Sequence, residues 1–147
     1  MNNITINEWN KYIQPYDIVY HLGDFSLGDR DTIKKFTARL SGRKMLICGN
    51  HDKYRPTEYM ELGFEWASRY PIIFNSFMIL SHEPVFLDTN SPYVNIHGHT
   101  HQNNYISPNG NHLNVCVEQI DYKPISLKEV ENIFYERGIK SEKDELS

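Results

Sequence analysis

The sequence predicts a layered α/β sandwich built as a single domain, and three observations predict it. Helical periodicities alternate with short apolar runs through the first half of the chain. Hairpin signals dominate the second half. The apolar runs ending at Leu22 and Cys48 each close on a glycine, as buried strands do. The length of 147 residues amounts to about one domain, enough to bury a core without disulfides or a structural metal.

The elements follow in order. Residues 3–13 predict a helix, with Ile6, Trp9 and Ile13 on one face, Thr5 and Glu8 at capping-box spacing, and Pro15 as a stop. Residues 17–22 form a short apolar strand ended by Gly23. Residues 29–40 return to helical spacing through Ile33, Phe36 and Leu40, with Gly42 beyond. Residues 44–48 predict the next strand. Pro56 opens a helix of about two turns that Gly63 follows. Residues 70–74 and 77–82 flank an Asn75-Ser76 turn and predict a hairpin. A strand over 94–97 comes next, then segments 105–106 and 112–117 on either side of Ser-Pro-Asn-Gly-Asn. Ser126, with Glu129 three residues on, caps a last helix through about Glu136. The domain spans 1–137, and the polar residues 138–147 read as a frayed tail.

Composition excludes several function classes. Hydrophobic residues make up 39% and aromatics 13%, too rich for a disordered chain. Nineteen acidic against fifteen basic side chains leave a net charge of −4, which argues against a general polyanion-binding surface while leaving room for a local basic patch. The apolar runs are too short to span a bilayer. The opening MNNITINEWNKY lacks the basic start and apolar stretch of a signal peptide. Cys48 and Cys116 each sit in an apolar run, as buried free thiols of a reducing compartment do. The expected location is the cytoplasm.

The chemistry sits where the strands end. Asp24 follows a strand and a glycine. Asn50 and His51 do the same, His82 ends a strand, and His99 and His101 follow another strand and glycine. Strand ends of this kind form the usual ligand-binding edge of an α/β sheet, and a glycine lets backbone approach a bound ion closely. Each piece alone has a plain explanation: Gly23-Asp24 as a turn, Gly49-Asn50-His51-Asp52 as a loop of turn residues, His82 as a satisfied strand-end histidine. The alternating histidines of His97-Gly98-His99-Thr100-His101 are costly to place together without an ion or polar partner. Their joint order is what points to metal chemistry.

Gly23-Asp24, Gly49-Asn50-His51-Asp52, His82 and Gly98-His99-Thr100-His101 resemble the ordered motifs of the calcineurin-like metallophosphoesterases, over roughly residues 9–126. VYHLGDFSLGD, HGHTH and NVCVEQIDYKPIS are similar to phrases of a branch of small bacterial and phage phosphoesterases. The resemblance implies a four-layer α/β/β/α sandwich carrying two divalent metals. It implies Asp24 as the bridge between them, Asn50, His82 and His99 on one ion, and His101 on the other. His51 would contact the phosphate and protonate the leaving oxygen. Asp52 and His97 are assigned supporting roles around these groups. The implied reaction is hydrolysis of a phosphate mono- or diester by a dinuclear-metal hydroxide mechanism. Two cations about 3.5–4 Å apart suit that reaction, a carboxylate suits the bridge, and imidazole with carboxylate or amide favours Mn, Fe, Zn or Ni. An imidazole titrating near neutrality suits the acid.

One family feature is missing. The Asp-x-His strand that opens the family's fold has no counterpart, so the sandwich is expected to be N-terminally incomplete, with only Asp24 and His101 left to one ion and a full set for the other; this chain is expected to hold two ions as the family does, or only one. Neighbouring strands would then carry unpaired edges open to self-association or to a partner strand. The alternative function is a one-metal pseudoenzyme acting as a binding module. The substrate expected is a phosphoester of unspecified identity, with no membrane partner.

Overall fold

The computed structural model describes residues 3–25, 28–88, 90–98, 110–115 and 124–139. Helix α1 (Asn3–Tyr12) leads through a turn into β1 (Ile18–His21), followed by α2 (Arg30–Arg39), β2 (Arg43–Ile47), α3 (Pro56–Glu61) and β3 (Trp66–Ser68). The second half holds β4 (Ile72–Phe74), β5 (Met78–Ser81), β6 (Val94–His97), β7 (His112–Asn114) and α4 (Leu127–Glu136).

The strands form two small sheets. The first is parallel throughout in the order β1-β2-β3; the second, β4-β5-β6-β7, has one antiparallel pair, β4 with β5, and parallel pairs after it. With four helices among the described residues and a solenoid-like progression of about three turns, this is not the four-layer α/β/β/α metallophosphoesterase sandwich that the resemblance implies. Element order is the physical reason. Helix α1 runs directly into β1, so the first sheet stops at three strands with β1 on its edge among the described residues.

Two cores hold the elements. Alternation along β2 sends Leu46 to one and Ile47 to the other. The first packs Ile6, Trp9, Ile33, Tyr59 and Phe64 from the helical side against Leu46 and Cys48. The second joins Ile47, Tyr20 and Trp66 of the first sheet to Met78, Leu80, Val94 and Ile96 of the second, with Val130 and Phe134 of α4.

Local signals explain most boundaries. The Asp29 side chain accepts from Thr32 N at 2.9 Å and starts α2. Ser126 and Glu129 cap each other's backbone at the start of α4. Gly138 (φ 83°) ends α4 in a Schellman turn, with Ile139 N–H returning to Phe134 O at 2.9 Å. Asn75 and Ser76 both take positive φ (52° and 67°) in the tight connection over 75–77 that joins the paired Phe74 and Met78. Thr5 lies inside α1 rather than at its cap. Strand β3 was not expected, and β7 pairs parallel to β6 rather than closing a hairpin. Residues 105–106, the expected hairpin partner, lie outside the described residues. Among the described residues no helix is long and apolar enough to cross a membrane.

Candidate functional site

The C-terminal ends of β1 and β2 release two loops that are knotted together by one carboxylate. Asp52 is 2% exposed and accepts three backbone N–H bonds, from Asp24 at 2.6 Å, Phe25 at 2.9 Å and Gly49 at 2.7 Å. An ionised carboxylate is acceptor-only and stands burial when its lone pairs are filled this way. Gly23 and Gly49 let the loops meet. A Cβ on Gly23 would lie 2.8 Å from Gly49 Cα, and one on Gly49 would press into the Asp24 carboxylate and reach within 2.8 Å of the His82 ring. Gly23 (φ 104°) also needs a backbone open to glycine, and Asp24 follows at φ 55°, a costly conformation for a residue with a side chain.

That turn presents the Asp24 carboxylate to two partners. Its Oδ1 accepts the His51 N–H at 2.9 Å, and its Oδ2 lies 3.4 Å from His82 Nε2. His82, just past β5, places Nδ1 at 2.7 Å from Leu22 O. A carbonyl only accepts, so Nδ1 carries a proton and Nε2 is the ring atom turned to the cluster. Nε2 faces Asn50 Oδ1 at 2.9 Å as well as the Asp24 carboxylate. Three Lewis bases from three strand ends therefore converge: an imidazole nitrogen, an amide oxygen and a carboxylate oxygen. Such a set is stabilised by a positive charge among them, either a proton on Nε2 or a divalent cation.

Neighbouring groups hold the set in place. His21 Nδ1 accepts the Gly23 N–H at 3.2 Å, with Trp9 and Phe25 against its ring. Burial pushes its pKa below 6.5; Asp52 and Asp24 oppose that push and His82 adds to it. The segment carrying His82 is pinned from β6 and β7. Asn95 Oδ1 accepts Val85 N–H at 2.9 Å while its amide donates to Ile79 O and Ser81 Oγ, and His112 Nε2 donates to Val85 O at 2.6 Å. Gly98 N–H closes the group on His82 O at 3.0 Å.

The expected site residues divide accordingly. Asp24, Asn50 and His82 come together, with Asp52 beneath them as the loop tie. His51 joins through its backbone and is exposed. His97 is fully buried in β6; its Nδ1 donates to Gly98 O at 3.0 Å, and its Nε2 has no hydrogen-bond partner among the described residues. It packs beside His112, with ring centroids 6.0 Å apart, and burial lowers its pKa. His99 and His101 lie outside the described residues. Among the described residues no group of three or more His, Cys, Asp or Glu is gathered for a metal, since the third ligand type at this cluster is the amide of Asn50. Sequence reasoning missed Asn95; its signal is an amide side chain set between Val94 and Ile96 in a short buried strand. A cavity of about 410 Å³ opens on the helical side, lined by Lys34, Thr37, Lys44 and Glu61, and shares no residue with the cluster.

No family model matches the chain. Over 138 residues it is 34% identical to the uncharacterized protein MJ1445 of Methanocaldococcus jannaschii, covering 86% of this chain and 71% of that protein. The chain belongs to the MJ1445 family. The crystal structure of a protein of unknown function, AQ665 of Aquifex aeolicus, superposes with a TM-score of 0.65 at 27% identity, covering 88% of this chain and 83% of that one. Neither name says what its protein does.

Proposed function

We propose that the chain is a metal-dependent phosphoesterase of the cytoplasm, hydrolysing a phosphate mono- or diester at the Asp24–Asn50–His82 cluster. The observation that carries the reading is the convergence of His82 Nε2, Asn50 Oδ1 and an Asp24 carboxylate oxygen within 3.4 Å of the imidazole nitrogen. The donor set of one nitrogen and two oxygens suits Mn, Fe, Zn or Ni. Asp24, Asn50, His82 and His99 would hold one ion, and His101 with Asp24 the other. The bound ions would supply Lewis-acid activation of water and of the phosphate oxygens. The carbonyl of Leu22 keeps the His82 proton on Nδ1, leaving Nε2 as the ligand atom. Asp52 keeps the Asp24 turn in register. His51, exposed beside Asp24, orients the phosphate and gives the leaving oxygen its proton. The buried free thiol of Cys48 supports the reducing location.

A second reading is a one-metal binding module. It is favoured by one observation: Asp24, Asn50 and His82, the residues that come together, would all serve the same ion. Manganese stoichiometry by titration calorimetry, with release of p-nitrophenol from p-nitrophenyl and bis(p-nitrophenyl) phosphate, separates the two. Two ions with turnover support the phosphoesterase. One ion without turnover supports the module.

A further inference from the structure

The loop that leaves the cluster carries an unusual density of cations for so acidic a chain. Lys53, Tyr54 and Arg55 follow Asp52 directly, and Arg30 stands at the start of α2, six residues after Asp24. The Arg30 guanidinium lies 5.0 Å and the Lys53 ammonium 5.3 Å from the centre of the Tyr54 ring. Arg69, just after β3, donates to Tyr54 O at 3.0 Å. Two cations thus flank the Tyr54 ring, a third bonds its backbone carbonyl, and Arg55 follows it in the chain, all four exposed.

Their counter-charges are few. Glu58 pairs with Arg30 and accepts the Arg55 backbone N–H at 2.8 Å, and Asp29 faces Lys53 while capping α2. Asp52 lies beneath, its charge already met by three N–H groups. Four cations against these three carboxylates leave a local excess of positive charge on a chain whose total is −4. Lys53, placed over an aromatic face, is held without being neutralised by it, so its charge stays available to a ligand, whereas Arg30 is shared with Glu58. Lys53 lies three residues beyond Asn50, which bounds its Cα within roughly 11 Å of that ligand. A flexible lysine or arginine spans much of that distance.

We propose that Arg30, Lys53, Arg55 and Arg69 form a subsite for a second, non-reacting phosphate, so that the substrate carries at least one phosphate besides the scissile one. The inference rests on the phosphoesterase reading for the position of the scissile group. A polyphosphate chain and a short single-stranded oligonucleotide both supply such a phosphate.

The test measures binding without catalysis, on the full chain in EDTA: calorimetry with tripolyphosphate, and fluorescence anisotropy with a fluorescein-labelled dT8. The double variant Lys53→Ala/Arg55→Ala is compared with Lys128→Ala, an exposed control on α4. Circular dichroism and Tm check the folding of each. The expected result is affinity for at least one probe that falls by about tenfold or more in the double variant, with a shallower salt dependence, and is unchanged in the control. Tighter tripolyphosphate binding names the polyphosphate source, and tighter dT8 binding names the oligonucleotide. No binding, or equal affinity in wild type and double variant, overturns the subsite. Absence of Mn²⁺-dependent turnover with subsite binding intact would sink the phosphoesterase reading alone.

Discussion

His82 and His97 sit at the ends of neighbouring strands, since Ser81 pairs with His97 across β5 and β6, yet their surroundings differ in kind. The His82 ring is tied through Nδ1 to a carbonyl of another loop, 60 residues away in the chain, and turns Nε2 toward a carboxylate and an amide oxygen. The His97 ring is tied to its own neighbour Gly98, and its Nε2 faces the protein interior beside His112. One residue of displacement past the strand end separates an imidazole that meets oxygen ligands from one desolvated in a sheet. A histidine's chemistry is set by what its second nitrogen faces, not by the motif that contains it.

The largest effect should come from removing the charge that His82 faces. Asp24→Ala is expected to abolish both Mn²⁺ binding by calorimetry and metal-dependent turnover; retained high-affinity binding would show that the His82 side of the comparison is structural too. Next, His51→Ala should slow turnover by about 10²–10⁴-fold, the scale of a positioned acid, with Mn²⁺ affinity unchanged. Loss of the metal in that variant would move His51 into the ligand set.

Asp52→Ala tests whether the loops meet without their tie. It leaves three backbone donors at Asp24, Phe25 and Gly49 without their acceptor, which should cost about 3 kcal/mol or more in urea unfolding. An unchanged midpoint would mean that water replaces the carboxylate. The smallest effect is on pH dependence. Burial holds His21 and His97 below 6.5 in the folded chain. The unfolded chain therefore binds protons first as pH falls, and the stability from these groups is full above about 6.5 and declines below it. Thermal melts from pH 5 to 8 should show that decline, and His97→Leu should flatten it; a Tm that rises on acidification would reverse the sign.

Legibility followed the range of the interactions. Asp29, Ser126 and Gly138 act on backbone within a few residues, and their helix ends stand in the sequence. Asp24, Asn50 and His82 are legible from their strand-end positions, and Asp52 as a supporting residue of the same Gly-Asn-His-Asp loop. The carbonyl that orients His82 and the bonds from Asn95 and His112 to the 82–85 segment were not, because each links residues 10 to 60 apart. Strand β3 was missed because three residues offer too little periodicity to see. The four-layer architecture was overread: motif order survives in a chain whose first sheet has three strands.

By itself, then, the sequence determined where elements start and stop and which polar side chains lie beyond strand ends, since both depend on local stereochemistry and on the two-residue and 3.6-residue periods. Only the tertiary structure decided the sheet partners, the edge position of β1, the burial of His97 and the meeting of three Lewis bases at one point. Those outcomes are set by pairing and desolvation between distant segments, and no local pattern encodes which segment will be opposite.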